Sequence, residues 1–164
     1  MKDTYDAVGQ LQLDKPRDWY SAEELNLLLE DPEPSEELWW NTTATREWEQ
    51  LVSVPQIAQV LQLVTEEGHT FQFEGEEPID KYAQGARLAD GNFMLELAVI
   101  DGCAYNMRIA YGPNADQTTS HPDEDVEAYG PQSLTLAQTY EVLAGWVSGK
   151  GLPPGYGGSI HIYG

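Results

Sequence analysis

The residue types that carry chemistry are thinly spread in this chain. It has three histidines, His69, His121 and His161, and one cysteine, Cys103. A catalytic centre needs a nucleophile, a base and a stabilising donor within reach of one another. His69 and His161 fall in stretches that alternate polar and apolar residues, where an exposed histidine or one satisfied by its neighbours is the simpler reading. No Gly-x-Ser-x-Gly, His-Glu-x-x-His or P-loop pattern occurs. Gly155-Tyr156-Gly157-Gly158 is rich in glycine, but no helix follows it to aim amides at a phosphate, so it reads as a turn. Asp123-Glu124-Asp125-x-Glu127, with His121 two residues upstream, comes nearest to a metal segment. It lacks the alternating ligands, central glycine and final glutamate of a calcium loop, and reads as a solvated acidic loop. Cys103 rules out an internal disulfide and reads as a small buried hydrophobe, in keeping with a reducing compartment. No catalytic residue, metal ligand or cofactor is expected.

Charge is the stronger signal. Twenty-eight Asp and Glu face eight Lys and Arg, a formal net charge of −20 over 164 residues. Such a surface repels nucleic acid and anionic membranes and attracts basic proteins. The acids cluster, because positions 18–45, 47–80 and 109–149 contain no Lys or Arg. The first gap holds Glu23, Glu24, Glu30, Asp31, Glu33, Glu36 and Glu37. The second holds Glu66, Glu67, Glu74, Glu76, Glu77 and Asp80. The third holds Asp116, Asp123, Glu124, Asp125 and Glu127. A net charge of about 2–8 in magnitude already keeps a small domain soluble. The excess costs stability through self-repulsion, and a compensating partner is expected. Partner contacts are therefore assigned to Glu33, Glu36, Glu37, Glu74, Glu76, Glu77, Asp80, Asp123, Glu124, Asp125 and Glu127. Trp39 and Trp40 adjoin the first cluster and join this set. On a strand they point to opposite faces, and an outward Trp inside an acidic rim has the character of an interface anchor. Burial of both beneath the 31–37 loop is the competing reading.

The elements that position these residues follow from periodicity. Ser21-Ala22-Glu23-Glu24 forms a capping box, followed by Leu25, Leu28 and Leu29 at helical spacing, with Pro32 and Pro34 as stops. Leu38-Trp39-Trp40 suggests a strand. Ser53 to Glu67 reads as a helix through Ile57, Val60, Leu61 and Val64, stopped at Gly68. His69 to Glu74 alternates as a short strand. Phe93 to Ile100 is the clearest strand, and Asp101-Gly102 is a type I′ hairpin signal leading to a return strand, Cys103 to Tyr111. Glu96 and Arg108 are placed on the outer faces of that hairpin, able to oppose each other. Gly112 to Gly130 is a long polar loop. Thr135 and Gln138 cap a last helix to Ser148, and Ser159 to Tyr163 reads as a final strand. The expected fold is one α+β domain over 1–164, a largely antiparallel sheet with a central hairpin and about three helices on one face. No stretch approaches the roughly 18 apolar residues of a membrane helix, and the N-terminus is not a signal sequence, so a cytoplasmic protein is expected.

Trp19-Tyr20-Ser21-Ala22-Glu23-Glu24-Leu25-Asn26-Leu27-Leu28-Leu29 resembles the opening of the Imm1-type immunity proteins of bacterial polymorphic toxin systems. The stretch from Leu134 through Gly145-Trp146-Val147-Ser148-Gly149-Lys150-Gly151-Leu152-Pro153-Pro154-Gly155 is similar to their last helix and the Gly-Pro turn after it. The resemblance covers about a third of the chain. It implies a cytoplasmic antitoxin that covers the active site of a cognate toxin, a nuclease or nucleic-acid deaminase. The leading expectation is thus an inhibitor that binds a basic toxin 1:1, with no direct nucleic-acid or membrane contact. A DNA-mimicking inhibitor from a phage or mobile element uses the same charge and is the alternative. A small enzyme or metal-binding protein is the third reading.

Overall fold

Period-two alternation marks the longer strands of one sheet, and three-to-four-residue spacing supplies the helices packed on it. The computed structural model describes residues 4–11, 13, 19–30, 37–75, 79–112 and 132–163. In chain order the elements are α1 (Thr4–Leu11), β1 (Tyr20–Ser21), α2 (Ala22–Leu29), β2 (Trp39–Thr42), β3 (Glu49–Gln50) and α3 (Gln56–Gln62). They continue with β4 (Thr70–Glu74), β5 (Lys81–Arg87), β6 (Phe93–Asp101), β7 (Cys103–Tyr111), α4 (Leu136–Val147) and β8 (Tyr156–Tyr163). The strands form an open antiparallel sheet in the order β1-β8-β7-β6-β5-β4-β2-β3. The fold is α+β.

One face of the sheet is apolar and meets the helices. Trp40, Phe71, Phe73, Ala83, Phe93, Leu95, Leu97, Met107 and Ile109 join one cluster with Leu25, Leu28 and Leu29 of α2. Ile57, Val60 and Leu61 of α3 and Val142, Leu143 and Trp146 of α4 complete it. Each large side chain so buried contributes about 1.5–3 kcal/mol. Phe71 packs edge-to-face on Phe73 and Phe93, with ring centroids 5.9 and 6.0 Å away. That packing needs Gly85 on the neighbouring strand, because a Cβ there would collide with the Phe71 ring and the Met94 carbonyl.

Helix ends are fixed by side chains named in the sequence. Ser21 Oγ accepts from Glu24 N–H while Ser21 N–H donates to Glu24 Oε1, at 3.2 and 3.1 Å. Thr135 and Gln138 make the same reciprocal pair at 3.1 and 3.0 Å. Such caps contribute about 0.5–2 kcal/mol each.

The structure corrects several expectations. α3 is shorter than residues 53–67. Leu63 and Val64 N–H donate to Val60 and Leu61 C=O, three residues back, so the last turn tightens and ends. The β6–β7 hairpin turns on Gly102 alone, with φ 76°, and Asp101 has no positive φ, so the turn is not type I′. Ile100 pairs with Ala104 and Asp101 with Cys103 around that glycine. In the register set by the Gly102 turn Glu96 and Arg108 oppose each other, but both are buried rather than on outer faces. α1, β1, β3 and β5 are additional to the expected elements. The 113–131 stretch, and with it most of the long polar loop, lies outside the described residues, as do Pro32 and Pro34.

Two glycine substitutions separate space from conformation. Gly85→Ala is expected to destabilise by about 1–3 kcal/mol through overpacking against Phe71. Gly9 lies in α1 with open space at its Cβ, and Gly9→Ala is expected to stabilise by about 0.5–1 kcal/mol. Urea midpoints at unchanged slope measure both.

Candidate functional site

The sheet face opposite the helices is polar across its width. Strand register lays out two rows on it. One row is Asn41, Gln72, Gln84, Glu96, Arg108 and Ser159. The other is Trp39, Glu74, Tyr82, Ala98, Asn106 and His161. Burial rises along both rows: residues on β2, β4 and β5 are half-buried, and those on β6, β7 and β8 are buried.

At the buried end most of the polar groups bond one another, although Gln132 Oε1 is buried with no partner among the described residues. Glu96 Oε2 accepts from Arg108 Nε and Nη2 at 3.1 and 2.8 Å. Its Oε1 accepts from Gln84 Nε2 at 2.9 Å and from Asn106 Nδ2 at 3.4 Å. Tyr82 donates its hydroxyl to Asn106 Oδ1 at 3.1 Å. Gln132 Nε2 donates to the Arg108 carbonyl and to Ser159 Oγ, at 3.2 and 2.8 Å. Ser159 Oγ lies 3.1 Å from His161 Nε2. That separation suits a hydroxyl nucleophile and its base. Ser159 is fully buried, however, and its oxygen already accepts from Gln132, so a substrate has no approach to it in this arrangement. The contacts tie the segment before α4 to β7 and β8. Trp19 lies against Gly157 on β8, where a Cβ would collide with the ring.

The residues assigned to partner contact divide. Trp40 points into the core and its Nε1 has no partner among the described residues. Trp39 points to the opposite face, half-buried, across from Glu74 on β4 and Gln50 on β3. Glu37 is exposed two residues before Trp39. Asp80 is exposed at the start of β5, two residues before Tyr82, the register partner of Glu74. The fold thus gathers Glu37, Trp39, Glu74 and Asp80 toward one end of the sheet. Glu33, Glu36, Glu76, Glu77, Asp123, Glu124, Asp125 and Glu127 lie outside the described residues.

The sequence reading overlooked the adjoining edge. A turn at Thr42–Thr45, closed by reciprocal bonds of 2.9 and 3.1 Å between backbone N–H and hydroxyls, reverses the chain after β2. Arg46 follows with φ 58°. The return segment exposes Glu47, Trp48, Glu49 and Gln50, with Trp48 41% and Val52 77% exposed. A two-residue strand carries too little alternation to be found by periodicity. The available signal was composition, a Trp flanked on both sides by Glu. This corner combines aromatic surface with concentrated negative charge, and Arg46 is a base within it.

Breaking the buried pair tests the polar network. Arg108→Met leaves Glu96 buried without its counter-ion and is expected to cost about 3–5 kcal/mol. Adding Glu96→Gln to that variant is expected to recover part of the loss, since the amide can still meet Gln84. Urea unfolding of the single and double variants gives the coupling.

Among the described residues, no group of three or more His, Cys, Asp or Glu is placed to hold a metal ion, and no helix is long and apolar enough to cross a membrane. Comparison with protein-family models, with curated proteins and with solved structures returned no match to any of the three.

Proposed function

We propose that this chain is an immunity protein, an antitoxin of bacterial competition that binds a basic toxin 1:1 and covers its active site. The observation that carries the reading is Trp48, exposed on an edge between Glu47 and Glu49. On the same side of the sheet, Trp39 of β2 lies between Gln50 of β3 and Glu74 of β4, with Glu37 two residues before it in the chain. An exposed Trp in a rim of carboxylates is suited to fill a pocket on a cationic protein and to be desolvated there. The net charge of −20 raises the encounter rate with such a partner. The resemblance of the Trp19–Leu29 and Leu134–Gly155 segments to Imm1-type immunity proteins points the same way. It suggests a nuclease or nucleic-acid deaminase as the toxin and the cytoplasm as the place of action. A DNA mimic would need repeating carboxylates alone; an aromatic anchor at the acidic corner favours a selective protein partner instead.

The test uses the product of the gene adjoining this chain's, which the reading expects to carry a toxin domain. Co-expression is expected to restore growth, and the purified pair is expected to associate at a rate that falls about tenfold or more from low to high salt. Trp48→Ala is expected to weaken binding by about 2 kcal/mol or more, roughly 30-fold, with an unchanged melting temperature. A salt-independent association rate contradicts the reading. Equal displacement of DNA from unrelated DNA-binding proteins replaces it with the mimic.

A further inference from the structure

An open sheet has two edges, and here they differ. At the β1 edge Tyr20 is buried, and Ser21 N–H is taken by Glu24 Oε1 at 3.1 Å. The capping box of α2 therefore closes that edge as well as starting the helix.

Among the described residues, no strand pairs with β3 on its outer side. Leu51 N–H donates to Leu38 C=O at 2.8 Å, and Gln50 stands opposite Trp39 in the same ladder. In an antiparallel ladder, pairs that exchange hydrogen bonds alternate with pairs that do not. Leu51 with Leu38 is of the first kind, so Gln50 with Trp39 is of the second. The N–H and C=O of Gln50 consequently point away from β2. Gln50 is exposed, and these two groups have no partner among the described residues. Val52 N–H, two residues on, is occupied by Gln56 Oε1 at 2.8 Å, which marks where the open edge stops. The edge thus offers the backbone of Gln50, with Trp48 beside it.

We propose that this edge receives an extended basic segment of the partner as an added antiparallel strand. The inference rests on the immunity reading and names how the partner docks. Unpaired edges are templates for strand addition, and backbone bonds supply affinity while alternate side chains supply selectivity. Within β3, Glu49 falls on one side of the edge and Gln50 on the other, with Trp48 exposed just before them. The incoming strand therefore carries a Lys or Arg facing Glu49, and an apolar or aromatic side chain near its end that packs on the exposed Trp48. A second copy of this chain is the poorer occupant, because two molecules of charge −20 repel.

The experiment compares Gln50→Pro with Gln50→Ala in the full chain, bound to the proposed toxin partner, sought as the product of the neighbouring gene. Proline removes the outward N–H and leaves the Leu51–Leu38 bond in place. Gln50→Ala is expected to bind within about twofold of wild type, and Gln50→Pro at least about tenfold more weakly. Amide exchange at Gln50 in the wild-type complex is expected to slow, a readout that stands even where the proline variant folds poorly. Equal affinity of Gln50→Pro and wild type, or unchanged exchange at Gln50, overturns the strand-addition proposal alone. Failure of the wild-type chain to bind removes the immunity reading and this proposal together. A dimer of the isolated chain by sedimentation that Gln50→Pro abolishes overturns it in favour of a second copy.

Discussion

The buried Glu96 carboxylate sets the register of the central sheet. It takes hydrogen bonds from Gln84 on β5 and from Asn106 and Arg108 on β7, so three strands are fixed around one side chain. A slip of one residue would turn Glu96 into the phenylalanine core and Leu95 or Leu97 onto the polar face. A buried pair of this kind is weak evidence for net stability but strong evidence for specification, since each charge without the other is costly. The helices pack on the apolar face that this register creates. The Gln132–Ser159–His161 contacts extend the same polar row to β8.

That arrangement also decides where function can reside. The residues with catalytic potential, Ser159 and His161, lie at the inner end of the polar rows and are committed to neighbours. The acidic and aromatic residues lie at the other end, where β2, β3 and β4 leave side chains accessible. The chain thus separates its scaffold chemistry from its surface chemistry along the sheet. The two edges differ: a capping box closes β1, while at β3 the outward N–H and C=O of Gln50 have no partner among the described residues.

Much of this was readable in the sequence. The Phe93–Leu95–Leu97–Val99 alternation and the return strand after Gly102 predicted the central hairpin, whereas the pairing of Glu96 with Arg108 depended on the register, which the turn on Gly102 sets. Both capping boxes were evident from residue type at fixed offsets. The burial of Glu96 was not, because a polar residue on an alternating strand reads as solvent-facing unless its partners are known. β5 was missed because Ala83 and Gly85 occupy its core face, and small residues give no apolar signal; the large side chain of Phe71 fills the space instead. The split between Trp39 and Trp40 was anticipated, whereas Trp48 was overlooked because β3 is only two residues long.

The chain's five tryptophans, Trp19, Trp39, Trp40, Trp48 and Trp146, allow a direct test of where a partner docks. The measurement is the set of indole N–H resonances during titration with the proposed toxin partner, sought as the product of the neighbouring gene. The account predicts large shifts for Trp48 and Trp39 and little change for Trp40 and Trp146, which are buried in the core. Shifts at Trp19 with Trp48 and Trp39 unmoved would contradict it.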